Sequence, residues 1–276
     1  MPDLCRSLSI LAHRRSPGRR LVLVAVSCLA AVGPPAVAQS DTLRSNATLP
    51  VGERLTYDVK FGPLTVGRAS MEVVGVEEVR GRRAWHTRFQ VTGGTFFFRV
   101  NDVLDSWIDV ETFSSLRFHQ ELSEGSRDRR YEYEIHPERG TYLEAGKPEL
   151  PSVPRPLDDA SFLYFLRTIP LEVGATYEFP RYFIPDRNPV RLDVQRYDQV
   201  TVPAGTFQTL LIRPVIKAKG VFSENGRAQV WVTDDPDHVL VQMTSHLKFG
   251  SLSLHLRSRR RAGADSSAAT TPPVRR

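Results

Sequence analysis

Three carboxylates and one imidazole lie close together in the stretch VWVTDDPDHVLVQ, from Val230 to Gln242. Asp234, Asp235, Asp237 and His238 are residue types that bind a metal ion or act as an acid/base pair. Asp and Pro between two alternating apolar runs also suit a hairpin turn, because they form side-chain-to-backbone hydrogen bonds and preset φ. A calcium loop would need more oxygen ligands at odd spacing and a closing Glu. The stretch therefore favours a hairpin turn over a metal or catalytic site.

The other side chains that could do chemistry are dispersed along the sequence. Glu132 and Glu134 could act as a glycosidase-like pair, but acids two positions apart lie near one another on any solvated strand. Motifs for a serine nucleophile or a phosphate-binding loop are absent. Six histidines follow the first 38 residues without HxH, HxxxH or HExxH spacing: His86, His119, His136, His238, His246 and His255. The sequence therefore predicts no catalytic residue, no metal site and no cofactor.

Most of the sequence alternates between apolar and polar residues with a period of two, which predicts half-buried β-strands. The stretch ERLTYDVKF, for example, places on one face Leu55, Tyr57, Val59 and Phe61. The pattern recurs in RASMEVV, RAWHTRFQV, SLRFHQEL, RRYEYEIHP and later stretches. Turn signals such as Asn225-Gly226 separate them. This arrangement predicts an antiparallel meander with one polar face.

One segment, PSVPRPLDDASFLYFLRTIP, departs from the strand pattern. Its three prolines interrupt the alternation, Asp158 or Asp159 can cap a helix, and Pro170 ends it. A helix is expected from about Asp159 to Thr168, with an apolar stripe of Phe162, Leu163, Phe165, Leu166 and Ile169. This stripe is too wide to leave in water, so the helix should fill the open side of a curved sheet.

A run of three phenylalanines, Phe96, Phe97 and Phe98, places at least one ring on the nominally polar face of its strand. One explanation is a strand that is covered on both sides. The other is a hydrophobic mouth for a lipid or a peptide. Together with Phe162 and Phe165 of the helix, these residues form the predicted binding site for a lipid or another apolar ligand.

Residues 1–38 have the features of a secretory signal peptide. Five arginines precede the apolar run Leu21–Gly33, which is too short to span a bilayer, and an Ala-x-Ala site predicts cleavage after Ala38. A twin-arginine signal and a lipoprotein acceptor at Cys28 are less favoured alternatives. The protein is therefore expected in the periplasm or cell envelope, and not to be transmembrane after cleavage.

Cysteine usage and charge exclude several classes of function. Both cysteines, Cys5 and Cys28, lie in the predicted signal peptide, so thiol chemistry and disulfides are not expected. Residues 39–256 hold 26 Lys and Arg against 29 Asp and Glu. Nucleic-acid binding is excluded for this mildly acidic part, because it would require a basic face. The basic tail from Arg257 to Arg276 is expected to be disordered.

Five stretches of the sequence together carry a resemblance to a known family. GERLTYDVKFGPLTVGRASMEV, DSWIDVETFSSLRF, DDASFLYFLRTIPLEVGATYEF, VPAGTFQTLLIRPV and AQVWVTDDPDHVLVQMTSHLKFGSLSLHL occur in this order. With them the chain resembles the bacterial family catalogued as domain of unknown function 3108, over nearly all of residues 50–256. The resemblance implies an exported envelope protein and supplies no catalytic residues. The pattern is also similar in outline to periplasmic lipoprotein-carrier folds.

The sequence thus predicts a signal peptide (1–38), a flexible lead (39–49), a single domain (50–256) and a disordered basic tail (257–276). The domain is expected to be all-β: a strongly curved antiparallel sheet, or incomplete barrel, wrapping one short apolar helix. The leading function is non-catalytic binding of a hydrophobic or extended ligand, or of an envelope protein. The alternatives are a hydrolase that acts on an envelope polymer through strand-borne carboxylates, and a purely structural module.

Overall fold

The computed structural model describes residues 48–95, 98–215, 228–247 and 250–262. The first strands in these ranges are β1 (Arg54–Phe61), β2 (Leu64–Val79), β3 (Arg82–Thr95), β4 (Phe98–Asp109), β5 (Ser115–Glu124), β6 (Arg127–His136), β7 (Thr141–Glu144) and β8 (Leu150–Pro151). A short helix, α1 (Ser161–Phe165), continues as a 3-10 turn (Leu166–Thr168). The strands after it are β9 (Thr176–Phe179), β10 (Val190–Val202), β11 (Gly205–Val215), β12 (Gln229–Thr233), β13 (Leu240–Leu247) and β14 (Gly250–Arg260), and a second 3-10 turn covers Pro185–Arg187.

These strands form one antiparallel sheet, in the order β8-β7-β6-β5-β4-β3-β2-β1-β14-β13-β12-β11-β10-β9. Strands that are consecutive in sequence pair with each other, except β8 and β9, and the first strand, β1, pairs with the last, β14, in the middle of the order. The sheet is not closed, and β8 and β9 are its edges. The predicted all-β fold, an open curved antiparallel sheet with one short apolar helix, is confirmed.

Burial alternates along the strands as the sequence predicts. Leu55, Tyr57 and Val59 of β1 are at most 4% exposed and belong to the main core. Phe61 was expected on the same buried face, but it is 40% exposed. It is the last residue of β1 and lies beyond the buried residues of that strand.

The helix lies in the predicted segment but begins two residues later than expected, at Ser161. The preceding residues form a turn around the buried Asp158, whose Oδ1 accepts the backbone N–H groups of Ala160 and Ser161 at 2.9 and 2.8 Å. Its Oδ2 accepts the hydroxyl of Ser106 at 2.6 Å, which ties the turn to β4. Burial raises the pKa of Asp158 to about 6, although these hydrogen bonds oppose the shift.

The segment between β8 and the helix is bonded to the segment between β9 and β10. Leu157 and Tyr182 form a parallel bridge, and Phe183 donates its N–H to the carbonyl of Leu157 at 2.9 Å. The hydroxyl of Ser152, next to β8, donates to the carbonyl of Phe183 at 2.8 Å. The residues that follow the two edge strands, β8 and β9, are thus bonded to each other.

The stretch from Val230 to Gln242 is a hairpin, as predicted, with β12 and β13 paired antiparallel. In its turn, Oδ1 of Asp235 accepts the hydroxyl of Thr233 at 2.8 Å and the N–H of Asp237 at 2.9 Å. The bond from the N–H of Asp237 is the side-chain-to-backbone bond for which Asp is favoured in turns.

The carboxylate of Asp237 leaves this turn and joins a network of ion pairs. It binds Arg259 at 2.7 Å and also Arg261. Arg259 in turn binds the buried Glu53 at 2.8 Å, and Glu53 also binds Arg167, which follows the helix. We call Glu53, Arg167, Asp237, Arg259 and Arg261 the end network. It connects the start of the domain, the helical segment, the β12–β13 turn and the last strand.

Two of the predicted domain boundaries need correction. β14 continues to Arg260, and Arg257 and Arg259 have carboxylate partners on or before β1. The tail therefore does not begin at residue 257. Leu49, placed in the flexible lead, is 5% exposed and belongs to the core. The predicted signal peptide with Cys28, most of the lead and the rest of the tail lie outside the described residues.

Candidate functional site

A groove of about 300 Å³ lies on the outer face of the four central strands, opposite the core. Thr56, Ser70 and Gln90 are cross-strand neighbours in β1, β2 and β3, and they form its floor. We call it the arginine groove, and it is lined by Arg54, Thr56, Arg68, Ala69, Ser70, Gln90, Thr92 and Arg257.

Three guanidinium groups dominate the charge of the arginine groove. Arg68 and Arg257 share one carboxylate, that of Asp58, at 2.9 and 3.3 Å. Arg54 binds Glu72 at 3.1 Å. The side chains of Arg68 and Arg257 are each 51% exposed, so much of each guanidinium faces solvent. Because a guanidinium has five N–H donors, a single shared carboxylate leaves donors available to an anionic ligand.

A β-bulge lies in β14 at Arg257, beside the groove. Thr56 pairs with Ser258 and Tyr57 with Leu256, so Arg257 is an extra residue in β14 at this point. Leu254 and Leu256 are buried, so simple alternation already directs Arg257 to the outer face. The bulge keeps the next residue, Ser258, on the same face, where its hydroxyl oxygen lies 2.6 Å from that of Thr56. Pairing of β14 with β1 places Arg257 beside Asp58.

Sequence reasoning missed all three of these arginines. Arg54 and Arg68 lie on polar strand faces, where exposed charges are ordinary, and Arg257 was assigned to the tail. The local sequence carries no signal for the bulge, and no motif distinguishes these arginines from the many others in the chain.

A second polar cluster lies on the outer face of β2, β3 and β4. The ring of His86 bridges two carboxylates, with Nδ1 2.8 Å from Glu77 and Nε2 2.8 Å from Asp105. It stacks on Trp107 with ring centroids 4.5 Å apart, and the indole N–H of Trp107 donates to Glu77 at 2.7 Å. Because both ring nitrogens are engaged, neither has a free lone pair to act as a general base.

The same geometry changes the pKa of His86. Burial lowers it, but the hydrogen bonds and charges of Asp105 and Glu77 outweigh burial and raise the pKa above its usual value near 6.5. The stability that these contacts supply is therefore complete below pH 6.5, the unfolded value. It is lost as the pH rises through the higher pKa of the folded state.

This pH dependence is measurable. The loss of unfolding free energy caused by His86→Gln is expected to be larger at pH 5.5 than at pH 8.5, as followed by urea denaturation. His255 is a control with the opposite pH dependence of stability, because burial lowers its pKa. Any loss of unfolding free energy that the buried His255 causes in the wild-type protein should therefore grow as the pH falls below 6.5. Equal losses for His86→Gln at both pH values would contradict the charged, doubly bonded His86.

The carboxylates considered for hydrolysis are engaged by cations or by the backbone. Glu134 binds Arg117 and Arg80, and Glu132 binds Arg130 at 2.6 Å. Asp235 belongs to the β12–β13 turn described above. Within the described ranges, no three or more His, Cys, Asp and Glu side chains are grouped so that they could hold a metal ion.

Of the residues predicted to bind an apolar ligand, Phe162 and Phe165 lie together in the core, with ring centroids 6.2 Å apart and exposures of 3% and 0%. Phe98 begins β4, and Phe96 and Phe97 lie outside the described residues. Phe165 lies 6.1 Å from Phe113, which contacts Trp85 near the start of β3. Phe98 pairs with Thr95 at the opposite end of that strand, so the structure does not bring Phe98 and the helix together.

The chain was compared with known proteins. The family model described as "Protein of unknown function (DUF3108)" matches residues 56–257. No curated protein matches the chain.

Three solved structures show a similarity at low identity. A beta-barrel-like protein of domain of unknown function DUF1849 from Brucella abortus is 12% identical, with a TM-score of 0.49, and the match covers 78% of this chain and 99% of that one. A "putative lipoprotein" from Parabacteroides distasonis is 13% identical, with a TM-score of 0.35 and coverages of 80% and 100%. A "putative exported protein" from Bacteroides fragilis is 11% identical, with a TM-score of 0.28 and coverages of 76% and 96%.

Proposed function

We propose that this chain, which belongs to the DUF3108 family, is an exported cell-envelope protein. Its arginine groove binds an extended anionic ligand without converting it. The observation that carries the proposal is the sharing of Asp58 by Arg68 and Arg257 in an open groove on the outer face of the sheet.

The shape of the arginine groove favours an extended ligand. It crosses β14, β1, β2 and β3, and three strand spacings amount to roughly 14 Å. Thr56 and Ser70 add side-chain hydroxyl groups between Arg54 and Arg68, and Thr92 lies beside Arg68 on β3. A chain-like molecule with phosphate, sulfate or carboxylate groups could therefore bind guanidinium groups at both sides and hydroxyl groups between them.

A non-catalytic role is supported by the engagement of the ionisable groups outside the arginine groove. The acids of a hydrolase must converge on a substrate, with one of them available as a proton donor. Glu132 and Glu134 are instead paired with arginines, and His86 has both ring nitrogens bonded. None of the described helices is long and apolar enough to cross a membrane.

The proposal is tested with dextran sulfate and neutral dextran, which differ only in charge, by isothermal titration calorimetry. We expect dextran sulfate to bind, and the double variant Arg68→Gln/Arg257→Gln to weaken binding at least tenfold. The matched control is Arg191→Gln/Arg196→Gln, which removes the same charge from exposed positions of β10. This control should change binding by less than about twofold. An equal loss in both double variants would indicate non-specific charge attraction and overturn the proposal.

The identity of the natural ligand is addressed by mass spectrometry of molecules that copurify with protein from the exporting host. An anionic envelope polymer or lipid that is lost with Arg68→Gln/Arg257→Gln would support the proposal. Absence of any copurifying molecule, together with no binding of dextran sulfate, would leave the purely structural module.

The apolar ligand site at Phe96, Phe97, Phe98, Phe162 and Phe165 stays a separate proposal. An occupant at Phe162 and Phe165 would have to replace core contacts, since both rings are buried. Substitution of Phe165, treated in the Discussion, tests that part of the site directly.

A further inference from the structure

An apolar turn protrudes from the sheet beside the arginine groove. Residues 61–64, Phe-Gly-Pro-Leu, connect β1 to β2, and all four are exposed. Leu64 is 66% and Phe61 40% exposed, and the two residues pair across the turn. We call these four residues the β1–β2 turn.

Basic side chains lie directly behind this apolar tip. Lys60 precedes Phe61, and Arg68 follows Leu64 by four positions along β2. At 3.3 Å per residue, the backbone of Arg68 is at most about 13 Å from that of Leu64. With Asp58 and Arg257 of the arginine groove, these groups sum to two positive charges, since three cations face one carboxylate.

We propose that the β1–β2 turn inserts into the surface of an anionic lipid bilayer, so that the arginine groove binds the phosphate groups of the lipid headgroups. This inference rests on the proposed function, because the same groove supplies the anion site. The apolar turn lies in front of the basic side chains, and a bilayer surface has matching layers. Apolar side chains reach the acyl boundary there, and cations remain among the headgroups.

Three features favour a lipid surface over another occupant. Interfacial helices bury their apolar face about 5–10 Å into the boundary between headgroups and acyl chains, a depth that the tip of a hairpin can also reach. The long arginine side chains can bridge the remaining distance, since their stems lie along apolar surface while their charged ends stay in the polar layer. Anionic lipids attract basic segments near the membrane, which supplies the charge complementarity.

The test is flotation of vesicles with protein purified from the exporting host. Vesicles of phosphatidylglycerol and phosphatidylcholine in equal parts are compared with vesicles of phosphatidylcholine alone. We expect at least tenfold stronger binding to the anionic vesicles. Phe61→Ser/Leu64→Ser should reduce this binding at least tenfold. The matched control is Leu143→Ser/Leu150→Ser, which changes leucines that are 37% and 45% exposed in β7 and the edge strand β8. It should change vesicle binding by less than twofold.

The outcomes separate this inference from the proposed function. Phe61→Ser/Leu64→Ser should retain the binding of dextran sulfate, whereas Arg68→Gln/Arg257→Gln should lose both dextran sulfate and anionic vesicles. Wild-type vesicle binding by the turn variant would overturn the membrane inference and leave the anion site intact. A turn variant that binds vesicles normally but changes from dimer to monomer in light scattering would assign the turn to self-association and also overturn it.

Discussion

Replacement of Phe165 by alanine is expected to lower the free energy of unfolding by about 3–5 kcal/mol. The ring is fully buried. Its centroid lies 5.0 Å from that of Phe179 and 6.1 Å from that of Phe113, and the guanidinium carbon of Arg181 lies 4.7 Å from it. Truncation removes these contacts and leaves a cavity between the helix and both halves of the sheet. Urea denaturation measures the loss.

The control for this substitution is Phe61→Ala, which removes the same ring from a position that is 40% exposed. It is expected to cost less than about 1 kcal/mol, as most changes near the surface do. Lipid extraction of wild-type and Phe165→Ala protein accompanies the measurement. A small loss of stability together with a change in the extracted lipid would show that Phe165 faces a bound apolar ligand, and would contradict a packed core.

The second large effect is expected from Glu53→Gln, which neutralises the buried carboxylate of the end network. The side chain of Glu53 is 2% exposed and binds both Arg167 and Arg259. Removal of one partner of a buried pair leaves an uncompensated buried charge, which typically costs 3–5 kcal/mol. We expect about 3 kcal/mol, at the lower end, because Arg259 keeps Asp237 and its side chain is 23% exposed.

The matched substitution Glu121→Gln serves as the control. Glu121 lies 3.8 Å from Arg130, and both side chains are at least 60% exposed. Such a surface pair contributes about 0–1 kcal/mol and is screened by salt. Thermal and urea unfolding at low and high salt should therefore show a large, salt-insensitive loss for Glu53→Gln alone. Similar small losses for both variants would mean that the end network does not stabilise the fold.

The sequence alone determined the class of the fold, because each of its signals is local. Alternation of side chains across a strand is set by the backbone, so Leu55, Tyr57 and Val59 indicate a buried face without knowledge of their neighbours. The prolines and the apolar stripe around Phe165 likewise indicate a single helix inside the sheet. The Asp and Pro residues between β12 and β13 indicate a turn for reasons confined to that turn.

The beginning of the helix was less well predicted. The sequence offers Asp158 or Asp159 as the helix cap, and Asp158 holds the turn before the helix. Its second carboxylate oxygen is bound by Ser106, 52 residues earlier in the chain. This long-range contact fixes the turn against β4, and the helix begins at Ser161.

Only the tertiary structure decided where the candidate site lies. Pairing of β1 with β14 places Asp58 beside Arg257, 199 positions apart in the chain. Strand order likewise places Glu77 and Asp105 on either side of His86. It also places Asp237, a turn residue, beside Arg259 in the end network. Charged residues on polar strand faces look alike in the sequence. Their partners are set by which strands become neighbours, and that is decided by burial of the whole core rather than by any local pattern.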